Sequence, residues 1–123
     1  MSKKNLLVAE SYYAAMNKKD IESMEKMLHP DILFIGPLAK LQGKEAVLQA
    51  IKGFTTAFVG LKIRGKFQGD NQVMLAIDTE FPEPIGNLRT ASLLTIVDGL
   101  IIGIELFYDS RVVESKKEEV FSL

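Results

Sequence analysis

Between Leu28 and Phe58 the chain has little conformational choice, and the rest of the fold has to fit around this stretch, LHPDILFIGPLAKLQGKEAVLQAIKGFTTAF. Pro30 keeps the residue before it out of the helical region, so a helix arriving from the N-terminal side ends at or just before His29. The apolar run Ile32, Leu33, Phe34, Ile35 is too short for a helix and reads as a buried strand, closed by Gly36-Pro37. Gly43 then opens an element in which Val47, Ala50, Ile51, Phe54 and Phe58 recur at three- and four-residue steps, with Lys44, Glu45, Gln49 and Lys52 between them. That spacing predicts a helix with one apolar face, lying across the strand it follows.

Upstream, residues from about Lys4 to Met16 read as a first helix. Its polar stripe is narrow (Lys3, Glu10, Asn17 beside Lys4, Ser11, Lys18), which suits a helix buried against more than one neighbour. Asp20 is a good N-cap for a short second helix with Ile21, Met24, Met27 and Leu28 on its apolar face. Downstream the period changes to two. Leu61, Ile63, Gly65 and Phe67 alternate with Lys62, Arg64 and Lys66, and after a turn at Gly69-Asp70-Asn71 a returning strand runs from Val73 to Phe81. In simple register Lys62 faces Asp78, so Asp78 and Glu80 read as cross-strand charges rather than as catalytic groups.

Two prolines make residues 82–87 a loop. Asp98-Gly99 is a preferred two-residue hairpin turn, and unbroken pairing from it sets Arg89, Ala91, Leu93 and Thr95 opposite Tyr108, Leu106, Ile104 and Ile102 on one face. Glu105 falls on the other face, where a salt link to Arg64 across the sheet or a dimer is expected. Neither face is polar enough to lie in water. One covers the helices, and the other is expected to be covered by a second copy of the chain, giving a homodimer through the open sheet face.

A chain of 123 residues, 47% hydrophobic and 25% charged, with a formal net charge of -1, makes one globular domain and offers no footprint for nucleic acid or an anionic membrane surface. The absence of cysteine excludes thiolate chemistry and disulfides, and a cytoplasmic location is expected. His29 is the single histidine, so it reads as a helix-end residue, and no multi-histidine metal site is expected. Phosphate-cradling glycine motifs and the GxSxG elbow are missing, which argues against kinases, nucleotidases and classical hydrolases.

This order of elements resembles the cone-shaped fold of the nuclear transport factor 2-like superfamily, in its SnoaL-like and ketosteroid-isomerase-like branch. The resemblance implies an α+β architecture of three helices packed on a curved mixed/antiparallel sheet, with residues 1–111 forming a single SnoaL-like domain and 112–123 a charged tail. It also implies dimerisation, a cavity between helices and sheet, and no cofactor. The segment YYAAMNKKD resembles the isomerase pattern Y-x-A-A-L-N-x-G-D, which puts that enzyme's oxyanion tyrosine on Tyr12; its two catalytic aspartates fall on Gly36 and Leu93. The essential aspartate of the related limonene epoxide hydrolase falls on Leu106.

The polar groups expected at the cavity are Tyr12, Thr79, Arg89, Thr95 and Tyr108, with Asp109 at the strand end. Tyr12, Arg89 and Asp109 are the candidates for polarising or acid–base work. Arg89 is equally suited to holding an anionic ligand oxygen or to pairing with Glu83 or Asp109. The apolar lining is expected from Met16, Phe34, Phe54 and Phe58, and from Ile77, Leu93 and Leu106 of the sheet. Two function classes follow: a cofactor-free enzyme of the isomerase, cyclase or hydrolase type acting on a small hydrophobic ligand, or a non-catalytic ligand-binding or dimerisation module. The missing aspartates favour the second.

Overall fold

The computed structural model describes residues 3–113. Helices α1 (Lys4–Asn17), α2 (Ile21–Lys26) and α3 (Lys44–Ala57) pack on one face of a six-stranded sheet. Its strands are β1 (Leu28–Ile35), β2 (Lys40–Gln42), β3 (Gly60–Gln68), β4 (Gln72–Glu80), β5 (Asn87–Val97) and β6 (Leu100–Phe107), followed by one 3-10 turn, Ser110–Val112. The order across the sheet is β2-β1-β6-β5-β4-β3. Only β1 and β6 run parallel; every other neighbouring pair is antiparallel. No helix among the described residues is long and apolar enough to cross a membrane. Beyond Val113 the expected charged tail lies outside the described residues.

The local signals act as their chemistry dictates. Asp20 caps α2 by accepting from the Ser23 backbone N–H at 3.2 Å and from the Ser23 hydroxyl at 2.7 Å. In α1 the wide apolar arc buries Ala9, Tyr12, Tyr13, Ala15 and Met16, and in α3 the three-and-four spacing buries Val47, Ala50 and Ile51. Asn17 ends α1 and ties it to the sheet, its side-chain oxygen accepting from the Leu61 N–H at 3.0 Å.

Strand β1 starts earlier than the apolar run predicts, at Leu28 rather than Ile32. Leu28 pairs with Ile101, and the ladder resumes only at Leu33, so Pro30, which has no N–H to donate, falls in the interruption. The short edge strand β2 was absent from the sequence reading, because three residues carry too little pattern to register.

Two β-bulges decide which side chains face the helices. In β3 the register shifts between Ile63 and Gly65. Leu61 and Ile63 therefore point to the helix side, whereas Phe67, expected beside them, turns to the open face, where it is 66% exposed. Lys66 swings the other way and meets Glu10 of α1 at 2.7 Å. In the last hairpin Asp98 and Gly99 both have positive φ, as the tight turn requires, but a shift between Thr95 and Ile96 breaks the simple pairing. Leu93 then lies opposite Glu105 and Leu94 opposite Ile104. Each strand keeps its expected alternation; what changes is which face of one strand joins which face of the other.

Candidate functional site

A cavity of about 70 Å3 lies between the helices and the concave face of the sheet. Tyr12, Tyr13 and Met16 of α1 form one wall, and Val47, Ala50, Ile51 and Phe54 of α3 another. The sheet supplies Phe34, Leu61, Ile77, Thr79, Leu88 and Thr90, and around them Phe81, Ile104, Leu106 and Tyr108. Val113, 1% exposed, closes it from beyond β6. Phe54 stacks on Phe58, ring centroids 4.8 Å apart, and meets Phe81 edge-on at 5.6 Å, which makes that wall a rigid aromatic cluster.

Among the described residues no carboxylate, lysine, arginine or histidine lines this space; the polar side chains of the lining are hydroxyls. Tyr13 and Ser92 share a buried hydrogen bond of 2.6 Å, whereas the Tyr12, Thr79, Thr90 and Tyr108 hydroxyls have no protein partner among the described residues. Among the described residues no fully enclosed side-chain polar atom lacks a partner, so the buried Tyr12 and Thr79 hydroxyls must open onto the cavity rather than into packed protein. Desolvation sets their chemistry. Burial pushes the Tyr13 and Tyr108 hydroxyls up to about 12 and raises Tyr12 well above the usual tyrosine value, with Tyr13 next to it adding to the effect. All three are neutral hydrogen-bond donors at neutral pH, and none is a base.

Of the residues singled out by sequence, the fold brings Tyr12, Met16, Phe34, Phe54, Ile77, Thr79, Leu106 and Tyr108 around one space. Five others lie elsewhere. Leu93 and Arg89 occupy the open face, carried there by the bulge in the hairpin; Arg89 stands opposite Asp78, its side chain 71% exposed, 3.9 Å from a carboxylate that Arg64 holds at 2.9 Å. The pairing expected for Arg64 with Glu105 is thus replaced by one with Asp78, and Arg89 meets neither Glu83 nor Asp109. Asp109 is exposed, caps the 3-10 turn, and is held to about 2 by hydrogen bonds from the Arg111 guanidinium at 2.7 and 3.0 Å and from its backbone N–H. Phe58 is buried behind Phe54 and does not reach the cavity. Thr95 is also on the open face, accepting from Gln72 at 3.1 Å.

Tyr13, Ser92, Thr90 and Val113 belong to the site without having been expected there. Leu88, Thr90, Ser92 and Leu94 alternate with Arg89, Ala91, Leu93 and Thr95 along β5, and alternation alone does not tell which set faces inward.

Three helices on a mixed six-stranded sheet, with a cavity between the layers, define the nuclear transport factor 2-like fold. The chain belongs to the SnoaL-like domain family, whose model matches residues 9–104. Solved structures repeat the architecture over nearly the whole length. A protein from Kribbella flavida DSM 17836 is 23% identical with a TM-score of 0.87, covering 94% of this chain and 95% of its own. A de novo designed protein with a curved β-sheet is 18% identical with a TM-score of 0.85, over 99% and 98%. A steroid delta-isomerase from Pseudomonas aeruginosa is 17% identical with a TM-score of 0.81, over 98% and 90%. At these identities the likeness is one of fold. Among curated proteins the sequence has no significant match.

Proposed function

We propose that this SnoaL-like domain holds a small, uncharged, largely apolar ligand in its cavity, with a ligand oxygen accepting a hydrogen bond from Tyr12. The observation that carries the reading is the Tyr12 hydroxyl itself. It belongs to a residue 2% exposed, has no partner among the described residues, and opens onto an apolar space. A buried donor left unused costs about 1–3 kcal/mol, which a ligand acceptor recovers. Charged ligands are disfavoured because, among the described residues, nothing of opposite charge lines the walls. Proton abstraction is disfavoured on the same ground. Gly36 sits at the end of β1 beside the Phe34 ring, Leu93 is on the wrong face, and the inward residues flanking Leu93 are Ser92 and Leu94. The described lining therefore offers no carboxylate base of the kind isomerisation needs.

The test compares 2-acetylnaphthalene with 2-ethylnaphthalene, which lacks the oxygen, by calorimetry on the parent and on Tyr12→Phe. The ketone is expected to bind about fivefold to tenfold more tightly to the parent and to lose that preference in the variant. Equal affinities on the parent would make Tyr12 a packing residue.

We also propose that a second copy covers the open sheet face. Ile35, Glu105, Leu93, Met74 and Phe67 make one row across five strands, with Phe107 46% exposed beside it. Glu105 in this row has no partner among the described residues, while Arg64 and Arg89 share the single carboxylate of Asp78, so the face carries unmatched charge of both signs. Sedimentation velocity at micromolar concentration should show a dimer and Leu93→Arg a monomer; a monomeric parent would remove the proposal.

A further inference from the structure

The concave floor carries a second set of hydroxyls apart from Tyr12, and its arrangement follows from the strand register. Ser92 and Thr90 are two residues apart on β5, so they share a face. Ile77 pairs with Thr90 and Thr79 with Leu88, which makes Thr79 the diagonal neighbour of Thr90 across β4 and β5. Three hydroxyls thus run obliquely across the floor, and the Tyr13–Ser92 hydrogen bond occupies one end of the row. The other two are free. Thr79 is 6% exposed, lies among Ile77, Phe81 and Leu88, and like Thr90 has no hydrogen-bond partner among the described residues.

Packing does not explain these threonines. Valine has nearly the same shape and the same preference for strands, and it would spare the floor two unused donors in an apolar space. A threonine hydroxyl both donates and accepts, so its best partner is another hydroxyl. Tyr12 approaches the same space from the helix wall, not from the floor, and its donor suits a carbonyl.

Building on the reading of the cavity as a ligand site, we infer that Thr90 and Thr79 form a second polar anchor, and that the ligand is an uncharged ring compound with two oxygen functions, a carbonyl taken by Tyr12 and a hydroxyl taken by the threonine pair. The probes are 2-acetylnaphthalene and 6-hydroxy-2-acetylnaphthalene, which differ by one hydroxyl, titrated calorimetrically into the full chain. The hydroxyketone is expected to bind the parent about tenfold more tightly. The double variant Thr79→Val, Thr90→Val should bind both probes alike, whereas Tyr12→Phe should weaken both by the same factor. Thermal unfolding checks that the variants are folded, and the comparison on the parent decides without them. Equal binding of the two probes by the parent overturns the second anchor and leaves the role of Tyr12 standing. A hydroxyl preference that survives in the double variant overturns its assignment to the threonines. Failure of both probes to bind at millimolar concentration overturns the ligand-site reading and this inference with it.

Discussion

The chain has three tyrosines, and all three line one cavity. Their shared burial gives the protein a measurable alkaline signature. Tyr13 and Tyr108 are raised from 10.0 to about 12, so the native state holds its protons where the unfolded chain has released them. Stability from these groups is therefore intact below pH 10 and is lost as the pH climbs from 10 towards 12. Tyrosinate absorbance should stay low past pH 10 in the folded protein and appear together with unfolding. Tyrosinate developing near pH 10 with the fold intact would show that the cavity is flooded. Tyr12 also bears on turnover: with hydroxyls around it and no carboxylate among the described lining residues, a β,γ-unsaturated ketosteroid should show no measurable isomerisation. Conversion at an enzymatic rate would locate a base outside the lining described. Tyr12 was legible because the segment around it carries a pattern; Tyr13 was not, because successive residues on a helix point about 100° apart, and one residue at the cavity usually means its neighbour is not.

Helix and strand positions were legible wherever period and punctuation agreed, as at Gly43, Asp20 and Asp98-Gly99. The assignment of faces failed at the two bulges. One inserted residue inverts every side chain beyond it, and alternation alone looks the same before and after the insertion. The charges held a clue in the last hairpin: unbroken pairing separates Arg89 and Glu105 onto opposite faces, while the observed register puts both on the open one, away from the cavity. Turn and cap energies test the local account. Gly99, at φ +80, should resist replacement, Gly99→Ala costing about 1 kcal/mol in denaturant unfolding. Asp20→Ala should cost about 1 kcal/mol by removing the cap of a helix only six residues long. A neutral result at either site would mean that the turn or the helix end is held by tertiary packing.

At the level of the whole molecule, the order of elements announced the cone, but its closure was not visible. Val113 seals the cavity from a stretch that reads by composition as the start of a charged tail, and two adjacent valines beside charged residues set no period. Val113→Ala should cost about 2 kcal/mol, more than an alanine substitution in a solvated tail, and thermal denaturation measures it. The parallel pairing of β1 with β6 has a consequence for how the protein is made. The third residue of that ladder, Phe34, emerges from the ribosome early, yet its partner Ile104 is added only after β3, β4 and β5 have been synthesised. At ordinary elongation rates β1 waits roughly 4–15 s with one edge unpaired and the apolar faces of α1 and α3 uncovered. Nascent chains arrested before Leu100 should remain protease-sensitive and bound by chaperones, while chains arrested after Val113 has cleared the exit tunnel should resist digestion.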